Sequence, residues 1–259
     1  MKKISVLLLL LCTCLLLANC KKNSNEAPRP TVPLPEDKYG SLLIEFAHKA
    51  GADTFGFNKN YINSSGETFK VNTLQYILSN FKLRKKDGTE ITLPNTYFLV
   101  DPSVSPIIAI NKVPEGVYTG ISYLVGVDSA TTAGGAKTGA LDPVNGMYWT
   151  WQTGYINFRM VGTSPASSYS TKVFDYDVGG FIAPNQTVQF VNHDFMADTL
   201  AIRTDALPFL HINVDILEFF KSPVDISIAK VSSILDSGAD AVMAAKNYKD
   251  MFSFQSIRN

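Results

Sequence analysis

Cysteine is almost absent from this chain of 259 residues, and what there is sits at the start: Cys12, Cys14 and Cys20. Beyond Cys20 there is no thiol, which excludes disulfides and thiolate metal sites from the rest of the chain. A domain without such staples must hold itself by its core, and one of this length can bury enough surface to do so. Histidine is nearly as scarce, with His48, His193 and His211 as the whole supply. Any transition-metal site must therefore combine these with carboxylates, amides or aromatics. No His-Glu-x-x-His and no histidine pair at i, i+4 occurs, so the sequence lacks a catalytic zinc motif. Net charge is absent too, 23 lysines and arginines balancing 23 aspartates and glutamates. That argues against a nucleic-acid footprint, and no block of like charge suggests a basic arm. Gly-x-Ser-x-Gly is missing, and TTAGGAKTG lacks both the Gly-Lys-Ser/Thr ending and the following helix that a phosphate loop needs. Nothing in the sequence points to an enzyme.

Turning to what is present, Lys2 and Lys3 precede an apolar run from Ile4 to Ala18. It falls short of the roughly 20 residues that cross a bilayer, so it reads as a signal peptide over residues 1–19. Leu17-Ala18-Asn19-Cys20 resembles a bacterial lipobox, apart from Asn19, which makes Cys20 the expected lipidated first residue of the mature chain. Three acyl chains on one residue hold a membrane stably. Residues 20–39 carry Pro28, Pro30, Pro33 and Pro35 and read as an extended tether. The expected location is the periplasmic side of a bacterial membrane or the cell surface, the outer membrane first.

From residue 40 to 259 we expect one domain. Short alternating runs at 42–46, 71–84, 90–93, 96–100, 107–110, 120–127, 172–178, 187–190, 200–203 and 209–215 are separated by turn signals, with a strand–turn–strand over 60–69. That spacing predicts an all-β fold, an antiparallel β-sandwich with long loops. A short helix over Gly238–Phe252 is expected to cap one end, and Ile216–Phe220 to give a single turn.

Val125 to Arg159 is the most unusual stretch, holding six glycines, both tryptophans and two tyrosines. Its first half reads as loop, too poor in apolar residues to order itself, and Met147–Phe158 as one strand. On one strand Trp149 and Trp151 share a face, either as core or as an aromatic platform for a ligand. His48 falls at a strand end, His211 inside the apolar run FLHINVDI, and His193 in a turn.

The run VGVDSATTAGGAKTGALDPVNGMYWTWQTGYINFRMVG closely resembles the MbnP-like family of copper-binding proteins. LLIEFAHKAG, LQYILSNFKL, VPEGVYTGISYLVGVDSA, FDYDVGGF and NYKDMFSF extend the likeness over Leu42–Ile257. The resemblance implies a secreted or lipid-anchored β-sandwich in which a tryptophan of the Trp-x-Trp strand is oxidised to kynurenine by a partner dihaem, peroxidase-like enzyme. Kynurenine and histidines then bind copper, the new amine and ketone supplying ligands that an indole lacks. Carried over by motif, the metal-site candidates are Trp149 or Trp151 and His48. Asp177, in Phe174-Asp-Tyr-Asp-Val-Gly, stands where relatives commonly carry a histidine; carboxylate suits Cu(II) better than Cu(I). His211 can replace the missing ligand only if its strand lies beside the site.

Two expectations follow. In the first, the chain is a lipid-anchored copper protein of metal handling or acquisition. In the second, it is a ligand-binding or protein-interaction sandwich whose metal site has decayed. Convergence of His48, Asp177 and a tryptophan within metal-ligand distance keeps the metal reading, and Asp177 paired with Lys or Arg far from His48 rules out copper binding by this chain.

Overall fold

The computed structural model describes residues 38–259. The expected leader, the lipidated Cys20 and the tether lie outside these residues. In chain order the strands are β1 (Tyr39–Ala50), β2 (Asp53–Thr54), β3 (Tyr61–Ile62), β4 (Thr68–Lys85), β5 (Glu90–Thr92), β6 (Tyr97–Val100), β7 (Ile107–Pro114) and β8 (Gly116–Val125). A five-residue helix α1 (Ser129–Ala133) is followed by β9 (Tyr148–Thr150), β10 (Gly154–Thr163), β11 (Val173–Gly179), β12 (Gln189–Asp194), β13 (Leu200–Ile202) and β14 (Phe209–Asp215). The chain then adds β15 (Ser233–Ile234), α2 (Ala239–Tyr248) and β16 (Phe252–Arg258).

Two sheets pack face to face, which is the all-β sandwich that the alternation predicts. The smaller runs β16-β14-β1-β7, with β2 beside the end of β1. Its pairs are antiparallel except β1–β14, which is parallel from Leu43↔Phe209 to Lys49↔Asp215. In the larger sheet β12 and β13 pair with β8, and the order continues β8-β4-β10-β11-β15. The 18-residue β4 is its spine, meeting β10 and β8 along one edge and β6 and β5 along the other. Leu74, Tyr76 and Leu78 point inward from β4, and so do Phe81 and Leu83. That change of parity is absorbed at Asn80, whose φ of 55° sits where the β4–β8 register shifts.

Between the sheets, Phe46, Tyr76, Tyr123 and Phe252 meet edge to face at centroid distances of 5.5 to 6.3 Å. Phe158 stacks on Phe219 and on Tyr248, so α2 and the short turn at Glu218–Phe220 close the same core. The expected C-terminal helix is present but shorter. It stops at Tyr248, one 3-10 turn follows, and the chain finishes as β16 against β14. His193 is also placed differently from expectation, inside β12 with its side chain buried.

A second, smaller core lies on the outer face of the larger sheet. Ile77, alternating with inward Tyr76 and Leu78, joins Val127, Leu141, Met147, Tyr155 and Ile156 there. Residues 126–147 carry no strand, as the loop reading expects, but fold down onto this patch through α1 and two short turns. Asp128 caps α1 by accepting from the Thr131 amide at 2.9 Å, and Asp142 caps the 3-10 turn Pro143–Asn145 by accepting from Val144 at 2.9 Å. Tyr97 donates to Asp128 at 2.9 Å, tying that cap to the sheet. Carboxylate caps and three buried apolar residues, Val127, Leu141 and Met147, supply what glycine and threonine cannot.

Candidate functional site

His48 lies on the inner face of β1, in line with Leu42, Ile44 and Phe46. Its Nε2 shares a hydrogen bond of 2.9 Å with the Tyr76 hydroxyl. Burial pushes the imidazole down to about 4, against an opposing hydrogen bond donated to the Phe46 backbone, so the ring is neutral at pH 7. Burial holds the Tyr76 phenol well above its ordinary range, so that hydroxyl keeps its proton. An open cleft of about 510 Å³ begins beside this ring, lined by Glu45, Lys49, Asp53, Phe55 and Asn213 among others. His193 repeats the arrangement in β12, with Nε2 3.0 Å from the Tyr123 hydroxyl and a pKa pushed down to about 4 by burial.

His211 belongs to the outside of the smaller sheet, because Leu210, Ile212 and Val214 take the inner positions of β14. It sits opposite Glu45 in the parallel register, Nδ1 to Oε2 2.7 Å, and stacks on Phe209 at 4.7 Å. It is therefore not brought beside Asp177.

Asp177 occupies the outer face of the larger sheet. Tyr76, Phe158 and Val178 are register partners facing inward, whereas Gln75, Arg159 and Asp177 are register partners facing outward. Arg159 grips the Asp177 carboxylate with both arms, Nε to Oδ1 and Nη2 to Oδ2 at 2.6 Å each. This pair raises the guanidinium pKa further, with burial opposing. Asp175, two residues earlier on the same face, is pushed up by burial and then by the Asp177 charge, with Arg159 opposing. Its Oδ1 is buried without a hydrogen-bond partner. Gln75 turns the other way, donating to Asp101 at 2.8 Å.

The two indoles do not share a strand face. β9 ends at Thr150, whose hydroxyl accepts from the amides of Gln152 and Thr153 at 3.2 Å, and Gly154 with φ of 79° starts β10. This tight hairpin puts Trp151 at its tip, 72 % exposed. Trp149 is half-buried and lies against Gly179, where a Cβ would sit 2.6 Å from the ring carbon Cζ3. Gly179 and Asp177 are two residues apart on β11, so Trp149 and Asp177 are neighbours on one face. His48 lies across the sheet from both. A copper ion needs converging donors; here the histidine is on the wrong face and the carboxylate is already bound, so this set does not fit the metal. Among the described residues no three His, Cys, Asp or Glu side chains gather closely enough to hold an ion. Arg159 and Gly179 are the functional neighbours that sequence reasoning missed. The visible signal was one charged residue in an otherwise uncharged strand, INFRMVG.

Comparison with known proteins places these features in a family. No curated protein matches the chain. Among solved structures, MbnP from Methylosinus trichosporium superposes with a TM-score of 0.52, covering 85% of this chain and 98% of its own. At 15% identity that likeness speaks to the fold. The family model for MbnP matches residues 39–237, from the start of β1 to just before α2 and including the tryptophan hairpin. The chain belongs to the MbnP family.

Proposed function

We propose that this protein is a non-enzymatic, lipid-anchored member of an extracytoplasmic copper-handling system, and that its working element is the tryptophan hairpin at residues 148–153. Cys20 carries the lipid, and the hairpin is the part that a partner haem enzyme meets and oxidises. The observation that carries this reading is the setting of the two indoles. Trp149 is clamped on Gly179 on the outer face, and Trp151 projects at the turn, so an aromatic pair is presented on a rigid sheet. Family membership supplies the copper-handling context. His48, Asp177 and His211 are not the copper ligands in this reading, for the geometric reasons above.

The bidentate Arg159–Asp177 pair favours a second reading, a ligand-binding or protein-interaction module that works without metal. Intact-mass and peptide mass spectrometry with metal analysis, on protein purified from its native host, separates the two. The first reading expects a kynurenine mass shift in the peptide holding Trp149 and Trp151, with a lipidated Cys20. Unmodified tryptophans overturn it in favour of the second.

A further inference from the structure

We propose that Arg159 is the resident cation of the outer face, and that by satisfying Asp177 it closes the surface beside Trp149 to metal ions. Both side chains are largely buried, 21% exposed for Arg159 and 11% for Asp177. The planar fork engages both carboxylate oxygens, leaving Asp177 no oxygen free of a charged partner. A guanidinium does not lose its proton in proteins, so it cannot turn neutral and yield its place to a metal as a histidine can. A metal ion at Asp177 would have to break two charge-assisted hydrogen bonds and stay beside a fixed positive charge.

The surroundings are built around that one cation. Asp175 lies two residues away on the same face, with the carboxyl oxygen that finds no donor. Burial and the neighbouring Asp177 charge disfavour its ionisation, so the guanidinium already answers the charge the face readily carries. On the other side Gly146, in the left-handed conformation at φ 76°, comes down on Arg159, its Cβ position 3.5 Å from Nη1. The same guanidinium thus lies under the loop that leads into the hairpin. Whatever the hairpin contacts, it does so over an internal ion pair.

This inference takes from the proposed function only the importance of the hairpin, and its test reads a different quantity. The full mature chain is titrated with Cu(II), and with Cu(I) under anaerobic competition, as the unaltered protein and as Asp177→Asn, Arg159→Gln, Arg159→Lys and Arg159→Gln/Asp177→Asn. Asp177→Asn should leave copper affinity within about twofold of the unaltered chain. Arg159→Gln should raise it about tenfold or more, a step of about 1.4 kcal/mol, and the gain should vanish in the double variant. Arg159→Lys, which keeps the charge, should gain nothing. In Trp151→Phe protein with Arg159 intact, Trp149 is the one indole left to emit, and one equivalent of Cu(II) should leave its indole emission unquenched. That measurement holds even where Arg159→Gln fails to fold. Quenching at one equivalent, a tenfold weakening in Asp177→Asn, or no gain in a folded Arg159→Gln overturns the inference. A missing kynurenine overturns the proposed function and leaves this inference standing.

Discussion

On the inner face of the larger sheet, Tyr76 meets His48 and Tyr123 meets His193, each through one neutral hydrogen bond. On the outer face, Arg159 meets Asp177 as a full ion pair under a folded loop. Both faces bury polar groups, and these pairs are satisfied by opposite means. Inside, desolvation removes the charge and leaves neutral partners. Outside, where water still reaches part of the pair, the charges persist because each has its counter-ion at 2.6 Å. His48 and His193 on the inner face are therefore core groups, and Asp177 on the outer face is a bound acid. Neither is waiting for a metal ion.

The contrast can be broken most forcefully from the inside. Phe158 is fully buried and stacked among Tyr76, Phe219 and Tyr248. Phe158→Ala should cost about 4 kcal/mol through lost burial and a cavity, read as a lowered midpoint of chemical denaturation. The histidines come next, through pH. Their ordinary value is 6.5 and their folded value about 4, so between these limits the unfolded chain binds protons that the folded chain refuses. Stability is complete above about pH 6.5, falls as the pH drops, and levels off below about 4, by about 3 kcal/mol for each histidine. Denaturation midpoints measured across that window should show the slope, and His48→Gln with His193→Gln should flatten it.

On the outer face the expected effects shrink. Gly179→Ala would drive a methyl 2.6 Å from the Trp149 ring and 2.5 Å from the Tyr155 carbonyl. About 1.5 kcal/mol should be lost, with a red shift of Trp149 emission as the ring is pushed into water. Trp151→Phe, at the exposed tip, should change stability by less than about 0.5 kcal/mol in the same denaturation assay. A loss as large as that of Gly179→Ala would mean that the tip is packed and would remove the contrast.

Most strands were legible because alternation is local. LLIEF and FLHINV announce their buried sets without help from any partner. The misses are places where a second signal masked the first. In β16, Phe252-Ser-Phe-Gln alternates, but it follows directly on a helical pattern, and the helix reading ran through the boundary at Tyr248. In the tryptophan segment a threonine turn at Thr150 and a glycine at Gly154 cut an aromatic run that otherwise reads as one strand. The site was less legible, since it depends on which face each residue takes. Tyr76 and Gln75 differ by one position and end on opposite sides of the sheet. Pairing with β10 and β11, far along the chain, is what puts Asp177 with the latter.

The strand that begins the described domain, β1, is hydrogen-bonded along both edges, to β7 from Tyr39↔Pro114 and to β14 as far as Lys49↔Asp215. Any tension arriving through the residues before Tyr39 runs along this strand, at right angles to its β7 bonds and at a slant to those with β14. Such a load must shear many bonds at once instead of opening them one at a time, as it would at a strand peeled from an edge. The domain is therefore braced against being pulled from the end through which a surface-tethered protein would be held, and mechanical toughness becomes a property of where the first strand was placed.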